Sequence, residues 1–333
     1  MGNIFYFEWE NALMIWLQAH MGTVGTSLAS FISMFGEELL LILVLGFFYW
    51  GYDKEVGKRL GRAVCIDLCI FPMIKNVALR LRPYMVTPEI KCLKPVDSSA
   101  DIMDVAAQGY SFPSGHASGS ASVYGTIGRS YKERWVRILA VLIPFLVGFS
   151  RFCLGVHYPT DVLAGWLLGL VIIFFAPWFI GKFESRWIPY LILLIAMLPG
   201  WFYCKTNDFY SGYGMMVGFF AADLFEEKYV RFQNTRVWWK IILRLAGGVA
   251  IYFGLNKLLK MPFSSEFMDS GRFAAYLVRA LRYAVILFVD IGIYPMLFNA
   301  VAAKDKPDPA ADDRNTSGNS PDNENPKNTN GIS

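Results

Sequence analysis

From Val162 to Ile180, nineteen consecutive residues carry no charged side chain, and apolar runs of similar length recur along the chain. A helix needs about 20 apolar residues to cross a hydrocarbon core of about 30 Å. Inside lipid the chain has to satisfy every backbone amide and carbonyl itself, which leaves helices or a closed barrel. A barrel would show strands alternating with a period of two, and no such alternation is present. The expectation is an all-α, polytopic transmembrane helical bundle. Charged residues make up only 17% of the 333 residues, against about 25% in soluble domains. A net charge of +4 is too modest to suggest nucleic acid.

Nine spans are expected, at about 24–50, 60–79, 114–128, 136–152, 159–180, 187–204, 208–225, 239–256 and 274–299. Residues 1–22, aromatic-rich and only partly apolar, read as an N-terminal interfacial amphipathic helix. Glu8 and Glu10 interrupt that run and no basic stretch precedes it, so no cleavable signal peptide is expected. Residues 23–186 then form a transmembrane core, 187–302 additional transmembrane helices, and 303–333 a disordered polar C-terminal tail. The turns at 51–62, 128–137, 181–187 and 226–240 hold 14 Lys and Arg; the loops at 80–112, 150–158, 204–208 and 256–272 hold nine. The expected location is the cell membrane, and the positive-inside rule places the first set in the cytoplasm, with the C-terminal tail, and the second set on the outer face.

The five cysteines, Cys65, Cys69, Cys92, Cys153 and Cys204, are scattered without metal-ligand spacing and read as small buried hydrophobes. His20, at the end of the N-terminal helix, reads as a surface histidine. The stretch Tyr210–Gly218, rich in small residues, suits close helix packing.

Charges beside apolar runs are costly and mark functional sites by default. Three such clusters fall on the predicted outer face. In the first, Lys75 and Arg82 stand seven residues apart, on one face if the helix continues, with Pro83 as its stop. The second, Phe112-Pro113-Ser114-Gly115-His116, opens a helix. Free backbone N–H groups and the positive dipole end there favour an anion, Ser114 adds a hydroxyl, and Gly115 allows close approach. The third is Ser150-Arg151-x5-His157-x3-Asp161, where a carboxylate four residues on can hold one imidazole nitrogen and leave the other basic. Together they supply three cations, a helix-end nest, two histidines and an orienting carboxylate. That set suits phosphoryl transfer, in which the protein positions and neutralises charge on phosphoryl oxygens. Asp97, Asp101 and Asp104 do not have the spacing of a metal site, and no metal or cofactor is expected.

Lys75-x6-Arg82-Pro83, Pro113-Ser114-Gly115-His116 and Ser150-Arg151-x5-His157-x3-Asp161 resemble, in order, the three-part signature of the type 2 phosphatidic acid phosphatase (PAP2) superfamily. The resemblance covers about 75–161 and implies a PAP2-type core. It also implies a metal-independent, two-step hydrolysis. His157 would attack phosphorus to form a phosphohistidine, Asp161 would orient it, and His116 would protonate the leaving group and then activate water. Lys75, Arg82, Ser114, Gly115 and Arg151 would bind the phosphoryl oxygens. The helices after residue 186 exceed the family's core and are candidates for a lipid portal or a homodimer face.

The implied substrate is a lipid phosphate or pyrophosphate of polyprenyl, glycerolipid or sphingoid type, whose tail stays in the bilayer while its head reaches the outer rim. Two other readings compete: a lipid phosphotransferase using the same phosphohistidine, and a membrane binding or transport protein with a relict site. The complete constellation argues against the second.

Overall fold

Helices begin where the sequence provides an acceptor or a proline. Asp53 accepts the amide of Val56 at 3.2 Å and Ser114 that of Ala117 at 3.4 Å, each giving an orphan first-turn donor a partner. Pro83 and Pro159 occupy first-turn positions, where a missing N–H costs nothing. The computed structural model describes residues 2–304. The helices are α1 Glu8–Ser33, α2 Glu38–Gly46, α3 Lys54–Ala78, α4 Pro83–Val86, α5 Val105–Gln108, α6 Gly115–Ser130, α7 Arg134–Cys153 and α8 Pro159–Ile180. They continue as α9 Trp187–Met197, α10 Gly200–Tyr203, α11 Asn207–Phe225, α12 Trp238–Lys260, α13 Ser265–Met268, α14 Phe273–Leu287 and α15 Met296–Lys304. Three π-helical turns, Phe47–Tyr52, Glu226–Val230 and Phe288–Ile293, extend α2, α11 and α14. The fold is all-α: among the described residues there is a single isolated β-bridge, between Asn3 and Arg80.

By length and apolarity α7, α8, α12 and the stretch Phe273–Ala300 can cross a membrane. A fifth candidate is the pair Glu8–Gly36 and Glu38–Tyr52, bent by 46°. Their outward faces are apolar, as with Leu163, Leu167, Phe174 and Trp178 of α8, all exposed. The chain is a multi-pass membrane protein. The expected spans 60–79, 114–128 and 208–225 correspond to α3, α6 and α11, which lack that length or apolarity. They lie inside the bundle, so their polar residues meet protein instead of lipid. Lys58 and Asp67 of α3, Ser118, Ser120, Ser122 and Thr126 of α6, and Asp223 of α11 are all buried. The expected span 187–204 is broken into the shorter α9 and α10.

Helix α11 joins two halves of the bundle, packing on α3 on one side and α14 on the other. A Cβ at Gly214 or Gly218 would come within 2.1 or 2.3 Å of the carbonyl oxygens of Ala280 and Ala284. The small-residue stripe is therefore a close helix–helix seam, as its composition suggested. Helix α6 packs on α3, α7 and α8, which brings the first turns of α6 and α8 together. All five cysteines are free, and all but Cys92 are buried.

Helix α1 runs past residue 22, with a break at Gly22 (φ 58°, ψ −169°). Its first half packs into the protein: Glu10 and Met14 are fully buried. His20 is exposed, its Nδ1 2.7 Å from the carbonyl oxygen of Trp16. The polar stretch 303–333, apart from the end of α15, lies outside the described residues.

Candidate active site

Lys75 lies one turn from the end of α3. The helix does not continue to Arg82 as the spacing suggested. It stops at Ala78 because Leu79 turns left-handed (φ 51°), and Arg82 sits in extended backbone before α4. The two cations nevertheless face one cavity. Four chain segments converge on it: Lys75 and Arg82, Gly115 and His116 from the start of α6, Arg151 from the end of α7, and His157 from the loop into α8. The amide of Ser114 donates to the carbonyl of Asp161 at 3.0 Å, tying the start of α6 to that of α8.

The cations differ in what already holds them. Among the described residues the Lys75 ammonium has no hydrogen bond or ion pair, and it lies 5.5 Å from the Phe71 ring. Arg151 donates from Nη1 to Ser33 Oγ at 2.6 Å, while its Nε has no partner among the described residues. Arg82 is more engaged. Its Nε donates to the carbonyls of Gln108 and Gly109 (both 3.0 Å), Nη1 to Val156 (2.9 Å) and Nη2 to Gln108 (2.6 Å). Arg82 thus clamps the 80–112 loop and the His157 loop together while two of its five N–H groups stay free. Gln108 extends the clamp, accepting from Val96 N at 2.9 Å and donating to Asp97 O at 2.8 Å. Ser114 is fully buried as the α6 cap and does not line the cavity.

His157 is 2% exposed. Its Nδ1 lies 3.6 Å from Asp161 Oδ2, longer than a hydrogen bond, and has no other partner among the described residues. Catalytic hydrogen bonds are often long before substrate is bound. Burial, and then the cations of Arg82, Arg151 and Lys75, hold the His157 imidazole well below its ordinary pKa, so it is neutral near pH 7. Asp161 is held from two other sides: Oδ2 accepts the Tyr158 amide at 2.7 Å and Oδ1 accepts Arg80 Nη1 at 2.6 Å.

Arg80 and Glu10 escaped the sequence reading. Both are buried, and they pair at 3.0 Å. Glu10 also accepts the amide and hydroxyl of Thr160 at 3.0 and 2.7 Å. Residues 2–7 strap across this spot: Asn3 N donates to Leu79 O and Leu81 N to Asn3 O, at 2.7 and 3.0 Å. One signal was available, since a carboxylate inside an aromatic run needs a cationic partner. Among the described residues no group of three or more His, Cys, Asp or Glu is arranged to hold a metal ion.

The arrangement offers a neutral imidazole backed by a carboxylate, a second imidazole, and cations with unused donors around one void. It can receive a tetrahedral dianion and carry out nucleophilic phosphoryl transfer.

A model of the PAP2 superfamily matches residues 58–185, and one described as PAP2 superfamily phosphatase, transmembrane extension, matches residues 210–306. The chain is 31% identical over 144 residues to an undecaprenyl-diphosphatase of Sulfolobus acidocaldarius, covering 42% of this chain and 63% of that protein. It is 42% identical over 84 residues to phosphatidylglycerophosphatase B of Bacillus subtilis, covering 22% of this chain and 41% of that protein. It is 26% identical over 223 residues to human sphingosine-1-phosphate phosphatase 2, covering 60% of this chain and 53% of that protein. The matched regions thus span 41% to 63% of the length of these relatives. No solved structure matches the chain.

Proposed function

The chain belongs to the PAP2 superfamily, and from that premise we propose that it is an integral-membrane phosphatase that hydrolyses lipid phosphates or pyrophosphates through a phosphohistidine, without a metal. The observation that carries this reading is the convergence of Lys75, Arg82, Gly115, His116, Arg151 and His157 on one cavity, with Asp161 behind His157. Three relatives that bear lipid-phosphatase names support the substrate class.

In the first step the Nε2 lone pair of His157 attacks phosphorus and the bond from phosphorus to the leaving oxygen breaks. Burial and then the cations of Arg151 and Lys75 lower the His116 pKa; the bound phosphate dianion offsets those cations, so His116 is protonated in the complex and gives that oxygen its proton. The phosphoimidazolium so formed carries positive charge next to Asp161, which stabilises it. In the second step His116 takes a proton from water, the oxygen attacks phosphorus, and the P–N bond breaks. Inorganic phosphate leaves and both histidines regain their starting states. Lys75, Arg151 and the free N–H groups of Arg82 neutralise the equatorial oxygens throughout. The greater number of Lys and Arg in the opposite turns supports a site facing outward from the cell membrane.

Phosphate release from a panel of polyprenyl, glycerolipid and sphingoid phosphates, assayed in detergent with a chelator present, tests the reading. Release by the wild-type protein and its loss in His157→Ala are expected. Unchanged release by His157→Ala would end the phosphohistidine proposal, and loss of wild-type activity to the chelator would end its metal-free part.

A further inference from the structure

The cavity that receives His116 and His157 does not stop at the phosphate site. It has a volume of about 1560 Å³, above the roughly 300–1,000 Å³ of common ligand pockets. It descends between α2, α3 and α11, and the C-terminal extension forms its far wall, with Tyr252 of α12 and Tyr283 of α14 lining the same void as His157. Along α3 the lining runs from Asn76 to Val64. Those twelve steps of 1.5 Å give a depth of about 18 Å, close to half of a hydrocarbon core of about 30 Å.

The lining changes with depth. At the Lys75 end it is charged, with Asp208 from the start of α11 and Glu38 from the start of α2 in the lining. Lower down it is mainly apolar, with Leu45, Met215, Phe219, Leu287 and Ile291. Asp67 and Asp290 interrupt the apolar part, each with an Oδ1 that lacks a hydrogen-bond partner. At its deep end it is lined by Trp50 of one π-helical turn, Phe47–Tyr52, and by Asp290 and Ile291 of another, Phe288–Ile293. The Tyr49 hydroxyl donates to the carbonyl of Ile291 at 3.1 Å, and the rings of Trp50 and Tyr294 meet edge to face at 5.7 Å. The void is therefore blind at one end and carries the phosphate-binding cations at the other.

We infer that it is a tail slot. A single hydrocarbon chain of the lipid phosphate enters it while the phosphate rests at Lys75 and Arg151. The tail is then held between core and extension instead of remaining in the bilayer. This assigns the extension a direct part in substrate binding, and it rests on the lipid-phosphatase reading above. A floor at fixed depth also makes the slot a ruler for chain length.

The test is phosphate release from single-chain alkyl phosphates of increasing length. In the wild-type protein kcat/KM is expected to rise with length and then level off where the chain reaches the floor. Leu45→Trp and Met215→Trp fill the slot from opposite walls. Each is expected to lower kcat/KM for the long chain by about tenfold or more and to leave the shortest chain within about twofold. If a variant loses both activities, Ile291→Ala decides instead: it shortens a side chain of the floor turn, so the levelling point should move to a longer chain. A wild-type protein indifferent to chain length, slot-filling variants that treat long and short chains alike, or an unmoved levelling point in Ile291→Ala would overturn the slot. The shortest substrate reports the phosphatase site and the long-to-short ratio reports the slot, so the two readings fail separately.

Discussion

Arg80 Nη1 lies 2.6 Å from Asp161 Oδ1, a full ångström nearer than the 3.6 Å between His157 Nδ1 and the other oxygen of the same carboxylate. The carboxylate assigned to orient the nucleophile is thus itself oriented. Arg80 reaches it from a buried position over the Tyr158 ring, 4.0 Å from the ring centroid, with Nη2 on Glu10 at 3.0 Å and Nε on the carbonyl of Phe5 at 2.8 Å. The N-terminal segment therefore contributes to the site without lining the cavity.

Removing one partner of a buried pair leaves an uncompensated charge and costs about 3–5 kcal/mol. Arg80→Met should lower the thermal stability of the purified protein. It should also cut kcat by about tenfold or more while KM for a short substrate stays near wild type, because Arg80 does not touch the cavity. Arg80→Lys should recover part of both losses. A kcat equal to wild type in a folded Arg80→Met protein would show that Arg80 does not position Asp161.

The pH profile follows from His157. Its pKa is lowered, by burial first and then by Arg82, Arg151 and Lys75, so the neutral nucleophile persists below the ordinary value of about 6.5. As pH falls through the folded-state pKa, protonation removes the lone pair. The acid limb of kcat/KM on a short substrate should therefore lie below pH 6.5. Replacing Lys75 by Met removes one of the cations that hold the pKa down, so the limb should move to higher pH. A limb that stayed in place in Lys75→Met would contradict that electrostatic account.

How much was readable from sequence varied with how local the cause was. Lys75, His116, Arg151 and His157 fall at helix ends beside apolar runs, where a charge stands out, and all four line the cavity. The link between Lys75 and Arg82 was misjudged in its geometry, because the chain leaves the helix at Leu79, a left-handed residue that is not a glycine. The Glu10–Arg80 pair spans seventy positions, and nothing local joins its members. Helices α3, α6 and α11 were legible as helices, but their polar residues became intelligible only once packing put them inside the bundle. The depth of the cavity was not legible at all, since it is a property of where α12 and α14 stand relative to α2 and α3.

Of the three cations at the site, Lys75 is the one whose side chain has no hydrogen bond or ion pair among the described residues, so its charge is available to the phosphoryl group. Loss of one such donor costs about 10²–10³-fold in rate at comparable sites. Lys75→Met should lower kcat/KM by about that factor. Arg82→Met should add a stability loss, because it also releases the carbonyls of Gln108, Gly109 and Val156. Comparing thermal unfolding of the two variants separates a binding role from a scaffolding one: equal unfolding temperatures would remove the distinction drawn here.

The extension is fastened to the core by charge as well as by the α11 seam. Lys58 Nζ on α3 lies 3.1 Å from Asp223 Oδ1 and 2.9 Å from Glu226 Oε2, with both carboxylates fully buried. Lys54 Nζ reaches the other oxygen of Glu226 at 2.9 Å, and the Tyr190 hydroxyl donates to Asp223. Lys58→Met would leave Asp223 without a cation in this cluster, and unfolding should become easier by about 3–5 kcal/mol. Changing the pair together, Lys58→Met with Asp223→Leu, removes the stranded charge and should recover much of that loss, because an apolar replacement of a buried pair is often neutral. If the tail slot depends on how the extension stands against α3, Lys58→Met should depress activity on long chains more than on short ones even in the fraction that stays folded. Equal loss on both would mean that the network supports stability alone.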